Sequence, residues 1–328
     1  MGTSRLNARG RSRITRCSGS WRGRCKATTR CRSFRRAFAW NACSTPCSQA
    51  KHWPRRMASV EWIDPPQQGS AVLIQQRLTT EPVAAGTYAL LDMAFAPELA
   101  SQLKHAAGVR PLVCLYTNLY SGPGLDAIAP TLLELPADDD DRLSLLQRLL
   151  RLTSGKPMLS IIASDQSAGA LMLHLQQQME AVTSDKKAWM LRLADTRSFH
   201  ALLEVFTPLQ RERLLAGVMH WHYLGRDGQL VSVSGTSPQA ARETTPYELE
   251  DLQHQRLQRM ALPDALLFNI VRRPDLFGQL HGRVSAAHAC IEDTLKKMTP
   301  TTGLHDATLY GAVISALSEQ QLILDEVV

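Results

Sequence analysis

The first 56 residues contain no Asp and no Glu, although the 328-residue chain holds 30 acids. Fifteen of the 37 Lys and Arg fall in that stretch, which leaves 22 basic residues against all 30 acids in the remainder. The overall charge of +7 therefore hides a basic leader of +15 and a body of −8. Cysteine is scarce outside the leader. Cys17, Cys25, Cys31, Cys43 and Cys47 lie within it, and only Cys114 and Cys290 follow. That pair sits in apolar surroundings, where a free Cys acts as a small hydrophobe. The body thus has no disulfide framework and fits a reducing compartment. No Asn-x-Ser/Thr sequon occurs, and no apolar run approaches the roughly 18–20 residues that span a bilayer.

The standard catalytic and nucleotide signatures are also missing. There is no GxGxxG after a strand, no GxxxxGK[ST], no HExxH, no GxSxG and no EF-hand loop. Ser154-Gly155-Lys156 lacks the upstream glycine of a phosphate loop and reads as a helix stop. The leader has no CxxC, and its cysteines are separated by 7, 5, 11 and 3 residues, which argues against zinc. The leader also lacks any apolar period. A nucleic-acid arm or an Arg-rich transit peptide would share its composition. The favoured expectation is a start codon placed too early: an Arg/Cys/Ser/Thr/Trp-rich stretch is what GC-rich upstream DNA yields, and ordinary composition resumes at Met57.

What is present from there is a strand–helix alternation. Residues 57–86 are an extension punctuated by Pro, Gln and Gly, with Ala71–Ile74 as an edge-strand candidate. Tyr88–Met93 reads as a strand, Pro97–Ala106 as a helix, and Leu112–Tyr116 and Thr131–Leu135 as further strands. Asp138–Asp141 suit a helix N-terminus, where the dipole favours acids. Met158–Ala163 reads as a buried strand, with Ser164 or Asp165 capping the helix that carries Leu171 and Leu175. Trp189, Leu191 and Leu193 alternate as a half-buried strand. Two short helices follow, Ser198–Phe206 and Pro208–Ala216. A hairpin then joins Val218–Leu224 to Leu230–Val233 through Gly225-Arg226-Asp227-Gly228. After a polar linker at 236–246, the pattern predicts helices over Tyr247–Met260, Asp264–Arg272, His281–Met298 and Asp306–Leu317. The fold class expected is α/β, a mixed sheet with flanking helices over 87–235, plus a small all-helical C-terminal lobe over 247–328.

Three constellations bear on chemistry. His220 and His222 share one face of a strand and could offer two imidazoles to a metal, but no third ligand stands nearby. The expectation is a solvated face, with Met219, Trp221 and Tyr223 turned to the core. The acids Asp138–Asp141 are expected to be a solvated helix end. Asp195 and Arg197, flanking Thr196 after a strand, could be a catalytic acid and its orienting cation. The expected role is an ion pair at a strand-to-helix corner.

The order of these blocks resembles the adaptor/chaperone domain of type VI secretion effectors, a family first catalogued as a domain of unknown function. The resemblance rests on Tyr88-Ala89-Leu90-Leu91-Asp92, Leu115-Tyr116, Ala129-Pro130-Thr131-Leu132-Leu133-Glu134-Leu135 and the strand ending at Ser164. It continues through His174 and Leu191-Arg192-Leu193-Ala194-Asp195-Thr196-Arg197. Leu202-Leu203, Pro208-Leu209-Gln210, Gly217-Val218 and Trp221 complete it. Where relatives have an aromatic residue and a proline around the Asp, this chain has Leu193 and Thr196.

The resemblance implies a non-catalytic bacterial protein of the cytoplasm, needing no cofactor or metal. It would hold the N-terminal segment of a cognate secreted effector and load it onto the secretion spike protein, with no small-molecule substrate, membrane or nucleic acid as partner. Arg192, Asp195 and Arg197 would then be an interface cluster or a structural corner. An α/β enzyme using the Asp195/Arg197 corner, or a nucleic-acid-binding protein using the basic leader, are the rival readings.

Overall fold

Period-2 burial fails in the central strands, and the reason is architectural. In a computed structural model, residues 60–80, 85–104, 112–120, 122–235, 245–298 and 307–324 are described. The basic leader, Met57, most of the linker, and the ends of the expected helices at Ala106 and Asp306 lie outside them. Six strands form one sheet: β1 (Gly86–Asp92), β2 (Leu112–Cys114), β3 (Pro130–Glu134), β4 (Leu159–Ser164), β7 (Val218–Leu224) and β8 (Leu230–Ser234). Their order is β2-β3-β1-β4-β7-β8, with every neighbour antiparallel. Every residue of β4 is buried, as is the stretch Tyr88–Asp92 of β1. Alternate residues feed two cores. Leu90, Ile162 and Trp221 pack on one face, and Ala89, Leu91 and Ile161 on the other. A sheet covered on both faces reads as a continuous apolar run.

The first core is closed by α4 (Ala168–Gln177), α5 (Thr196–Val205) and α6 (Pro208–Leu214), which contribute Leu171, Phe199 and Leu214. The second is closed by α1 (Ser70–Thr80), α2 (Leu99–Lys104) and α3 (Asp139–Leu152), through Ile74, Leu103 and Leu146. Asp138 caps α3 by accepting hydrogen bonds from the Asp140 and Asp141 N–H groups. A smaller sheet joins β5 (Glu180–Thr183) to β6 (Ala188–Met190) and, in parallel, to β9 (Tyr247–Leu249). The α/β mixed character expected from the sequence is present.

Several local expectations are corrected. Ala71–Ile74 is not a strand but part of α1, since Ala71, Ile74 and Leu78 recur at helical spacing and pack into the second core. The cap of α4 is Ser167, not Ser164 or Asp165; Ser164 instead donates to the Gly217 carbonyl at 2.6 Å. Leu191 and Leu193 lie beyond β6, in a turn whose side chains still reach the core. Tyr247–Leu249 opens as a strand because Tyr247 and Leu249 are buried around an exposed Glu248.

The two helices expected over Tyr247–Met260 and Asp264–Arg272 are one. Helix α7 (Asp251–Arg272) runs through Pro263 without a break. An internal proline costs about 3 kcal/mol, and burial of Leu266, Leu267 and Ile270 beyond it offsets that cost. These residues pack with α9 (Val284–Lys297) and α10 (Ala307–Glu319) into a third core. The C-terminal region also carries a short helix, α8 (Pro274–Phe277), and a two-stranded ladder, β10 (Gln279–Leu280) with β11 (Ile323–Leu324), so it is not purely helical. The histidine pair is corrected too. His222 is fully buried opposite Ile161 and bonded through Nδ1 to Ser232 Oγ at 2.9 Å, because helices cover the face expected to be solvated.

Candidate functional site

The turn between β6 and α5 brings the three singled-out residues together. Asp195 is the N-cap of α5 and accepts the Arg197 N–H at 3.1 Å. Arg197 folds back as a fork on the same carboxylate, Nε to Oδ1 at 3.1 Å and Nη2 to Oδ2 at 2.9 Å. Both side chains are buried. Arg192 donates to Asp92 at the end of β1 (2.7 Å) and stands 3.9 Å from Asp195. The local ion pair is there, and it is the middle of a longer chain of charges.

That chain crosses into the C-terminal helices. Asp264 of α7 lies 3.2 Å from Arg197 Nη1, and it takes a bidentate pair from Arg226 of the β7–β8 turn at 2.8 and 2.7 Å. Burial pushes the Asp195 and Asp264 carboxyls up, yet their arginines outweigh it and hold both below the usual range. Burial likewise pulls Arg197 down, and the two aspartates more than reverse it. Asp92 differs. Burial raises it, and Arg192 does not fully compensate.

Residues 60–69, a strap without helix or strand ahead of α1, fill the joint where the Asp195–Arg197 corner meets α7 and α9. Trp62 stacks on Phe268 of α7 at 5.3 Å and receives the Arg197 guanidinium over its ring at 4.5 Å. Asp64 accepts from the Ser285 N–H (3.0 Å), Ser285 Oγ (2.5 Å) and Arg283 Nε (2.7 Å), which caps α9 from a distant part of the chain. His288 sits beside this network, and burial together with Arg226 pushes it down to about 4.

Above the joint lies a cavity of about 890 Å³. Arg192, Arg226 and Asp264 line its floor, α5 and Trp189 one wall, and Leu257, Met260 and Leu295 of α7 and α9 the other. His200 Nδ1 meets the Tyr223 hydroxyl at 2.8 Å, and burial and Glu204 push that phenol up to about 12. Among the described residues no group of three or more His, Cys, Asp or Glu is placed to hold a metal.

Residues 87–213 match the family model described as "Domain of unknown function (DUF4123)". No curated protein and no solved structure matches the chain. The matched stretch runs from β1 to α6 and contains Asp92, Arg192, Asp195 and Arg197. Arg226, Asp264 and His288, which complete the network, lie beyond it.

Of these residues, sequence reasoning singled out Arg192, Asp195 and Arg197 but missed Asp92, Asp264, Trp62 and Asp64. Asp264 carried a signal, a lone acid in the otherwise apolar run Ala261–Phe268. Asp64 carried none, because its partners lie more than two hundred residues away.

Proposed function

We propose that the chain is an adaptor that holds the N-terminal segment of a secreted toxin and delivers it to the spike protein of a type VI secretion system, without catalysing a reaction. The match at residues 87–213 carries this reading, because that family is associated with type VI effector adaptors. The groove beside it adds support. Two carboxylates that line it, Asp195 and Asp264, are each committed to an arginine, an arrangement suited to a rigid binding surface rather than to proton transfer. Delivery before export places the work in the cytoplasm on this reading. Among the described residues no helix is long and apolar enough to cross a membrane.

A second reading, an enzyme using Asp195 and Arg197, draws on the fact that both line the cavity and titrate away from ordinary values. The direction of the Asp195 shift weighs against it as a general acid or base. An acid held down by a forked arginine keeps its charge and has no proton to give near neutral pH.

The test is co-expression of the full chain with the proteins encoded beside it, followed by affinity capture and size-exclusion chromatography. The adaptor reading expects a stoichiometric complex with one neighbour. If a folded chain captures none of them, the reading fails.

A further inference from the structure

The charge network is lopsided in what it leaves accessible. Its carboxylates are buried: Asp92, Asp195 and Asp264 keep 4%, 0% and 7% of side-chain surface. The guanidiniums that pair them from above keep more, 27% for Arg192 and 28% for Arg226. The floor of the groove is neutral in sum and cationic in the face it shows. The rim extends that bias. Arg256 and Arg259 lie three residues apart on α7, and Lys296 stands on α9. The wall acids Glu204 and Glu292 are engaged, Glu204 by His200 and Arg256 and Glu292 by Lys296, while Asp227 of the β7–β8 turn lines the cavity too and accepts the Gln229 N–H. Arg259 is exposed and pairs with no carboxylate among the described residues.

Between floor and rim the lining is apolar, with Trp189, Met190, Leu257, Met260 and Leu295 each half-buried. Arg197 Nη1 faces the Asp264 carboxylate at 3.2 Å, and His288 Nε2 is buried without a hydrogen-bond partner among the described residues. Cations above apolar side chains, with acids spent on neighbours, match one kind of occupant.

We infer that the groove between α5, α7 and α9 takes a short acidic segment of a partner polypeptide, its carboxylates set against Arg192, Arg226 and Arg259 and its apolar side chains against Trp189, Leu257 and Leu295. The inference rests on the adaptor reading and adds the chemistry of the segment gripped. A nucleic-acid strand suits the groove less well, since the lining between the arginines is mostly aliphatic (Met190, Leu257, Met260 and Leu295), whereas unpaired bases are held by stacking on aromatic rings.

The test uses the full chain and fluorescence anisotropy with three labelled probes. They are a short peptide mixing Glu with Leu and Phe, the same peptide with Lys in place of Glu, and a single-stranded DNA oligonucleotide. The acidic peptide binds best, and Arg259→Glu weakens it roughly 3- to 10-fold, the scale expected when one exposed charge is removed and its sign reversed. Arg77→Glu, on exposed surface of α1, leaves binding unchanged. No binding of the acidic peptide, equal binding of the basic one, or tighter binding of the oligonucleotide overturns the inference. The same substitution in the co-expression experiment separates the two readings. If the unmodified chain captures its neighbour and Arg259→Glu captures it equally well, the groove assignment fails while the adaptor stands. If the unmodified chain captures nothing, the adaptor reading itself fails.

Discussion

Asp64 and Ser285 are 221 positions apart, and the Asp64 carboxylate accepts both the backbone N–H and the hydroxyl of Ser285. Helix α9 has no capping side chain of its own, since Arg283 at its N-cap position makes no such bond. The strap therefore supplies from outside the acceptor that most helices carry within.

The first prediction follows from that cap. Asp64→Ala removes three accepted hydrogen bonds and lowers stability by about 1–2 kcal/mol, the usual cost of a lost N-cap. Asp64→Asn retains an oxygen acceptor for the Ser285 N–H and costs less. Arg283→Ala costs least, because its side chain is 63% exposed and the ion pair is largely screened. Urea unfolding of the three variants checks the order. An Arg283→Ala loss equal to that of Asp64→Ala would show that charge, not capping, holds the strap.

Asp264 yields the second. It is the only carboxylate shared by Arg197 and Arg226 among the described residues. Asp264→Ala leaves buried Arg197 with Asp195 alone and strands Arg226, so about 3–5 kcal/mol is lost, as when one partner of a buried pair is removed. Arg226→Ala costs less, since that side chain reaches solvent. Hydrogen exchange on the Asp264→Ala protein should show α7 and α9 deprotected before the central sheet. Uniform deprotection would mean that the joint is not a separate unit of stability.

The third concerns pH. His288 is pushed from an ordinary 6.5 to about 4 by burial and Arg226, with Arg197 adding to the effect and Asp264 and Glu292 opposing it. A histidine depressed on folding binds fewer protons folded than unfolded. Its contribution is therefore complete above about 6.5 and is lost as pH falls toward 4. Between pH 7 and 5 the loss is about 2 kcal/mol. His174, lowered by burial on α4, adds a loss of the same sign. Asp195 and Asp264 act only in more acidic solution, below their unfolded values near 3.8, where their depressed carboxyls withdraw stability. Urea midpoints at pH 7 and 5 for the native chain and His288→Leu measure the effect. An equal drop in both proteins would remove His288 as its source.

How much of this was written in the sequence depends on distance along the chain. The β7–β8 hairpin and the α3 start at Asp138 were legible, because a Gly-Arg-Asp-Gly turn and a helix-end acid act on near neighbours. Asp195 with Arg197 was legible for the same reason. His222 was misjudged because only the packed helices decide that both faces of β7 are dry. Tyr247 was misjudged because its strand partner, Ala181, is remote. The joint built by Trp62, Asp64 and Asp264 depends wholly on such remote contacts. Pro263 misled in the opposite way: a strong local breaker was overruled by the core beyond it.

The last prediction contrasts two glycines. Gly228 closes the hairpin turn at φ +73°, and a Cβ there would lie 2.2 Å from the Pro65 carbonyl oxygen in the strap. Gly228→Ala therefore carries about 1–2 kcal/mol of left-handed strain, and a clash with backbone that has no flexible end to move aside. The strap must shift, and with it Asp64, so the substitution should also weaken partner capture. Gly169 is exposed on α4, and a Cβ there meets nothing within 4 Å. Gly169→Ala should raise stability by about 0.4–1 kcal/mol, because alanine leaves the unfolded chain fewer conformations than glycine, and leave capture unchanged. Thermal melts and the co-expression assay read both variants. If Gly228→Ala were as benign as Gly169→Ala, the strap could not be seated against the hairpin as described.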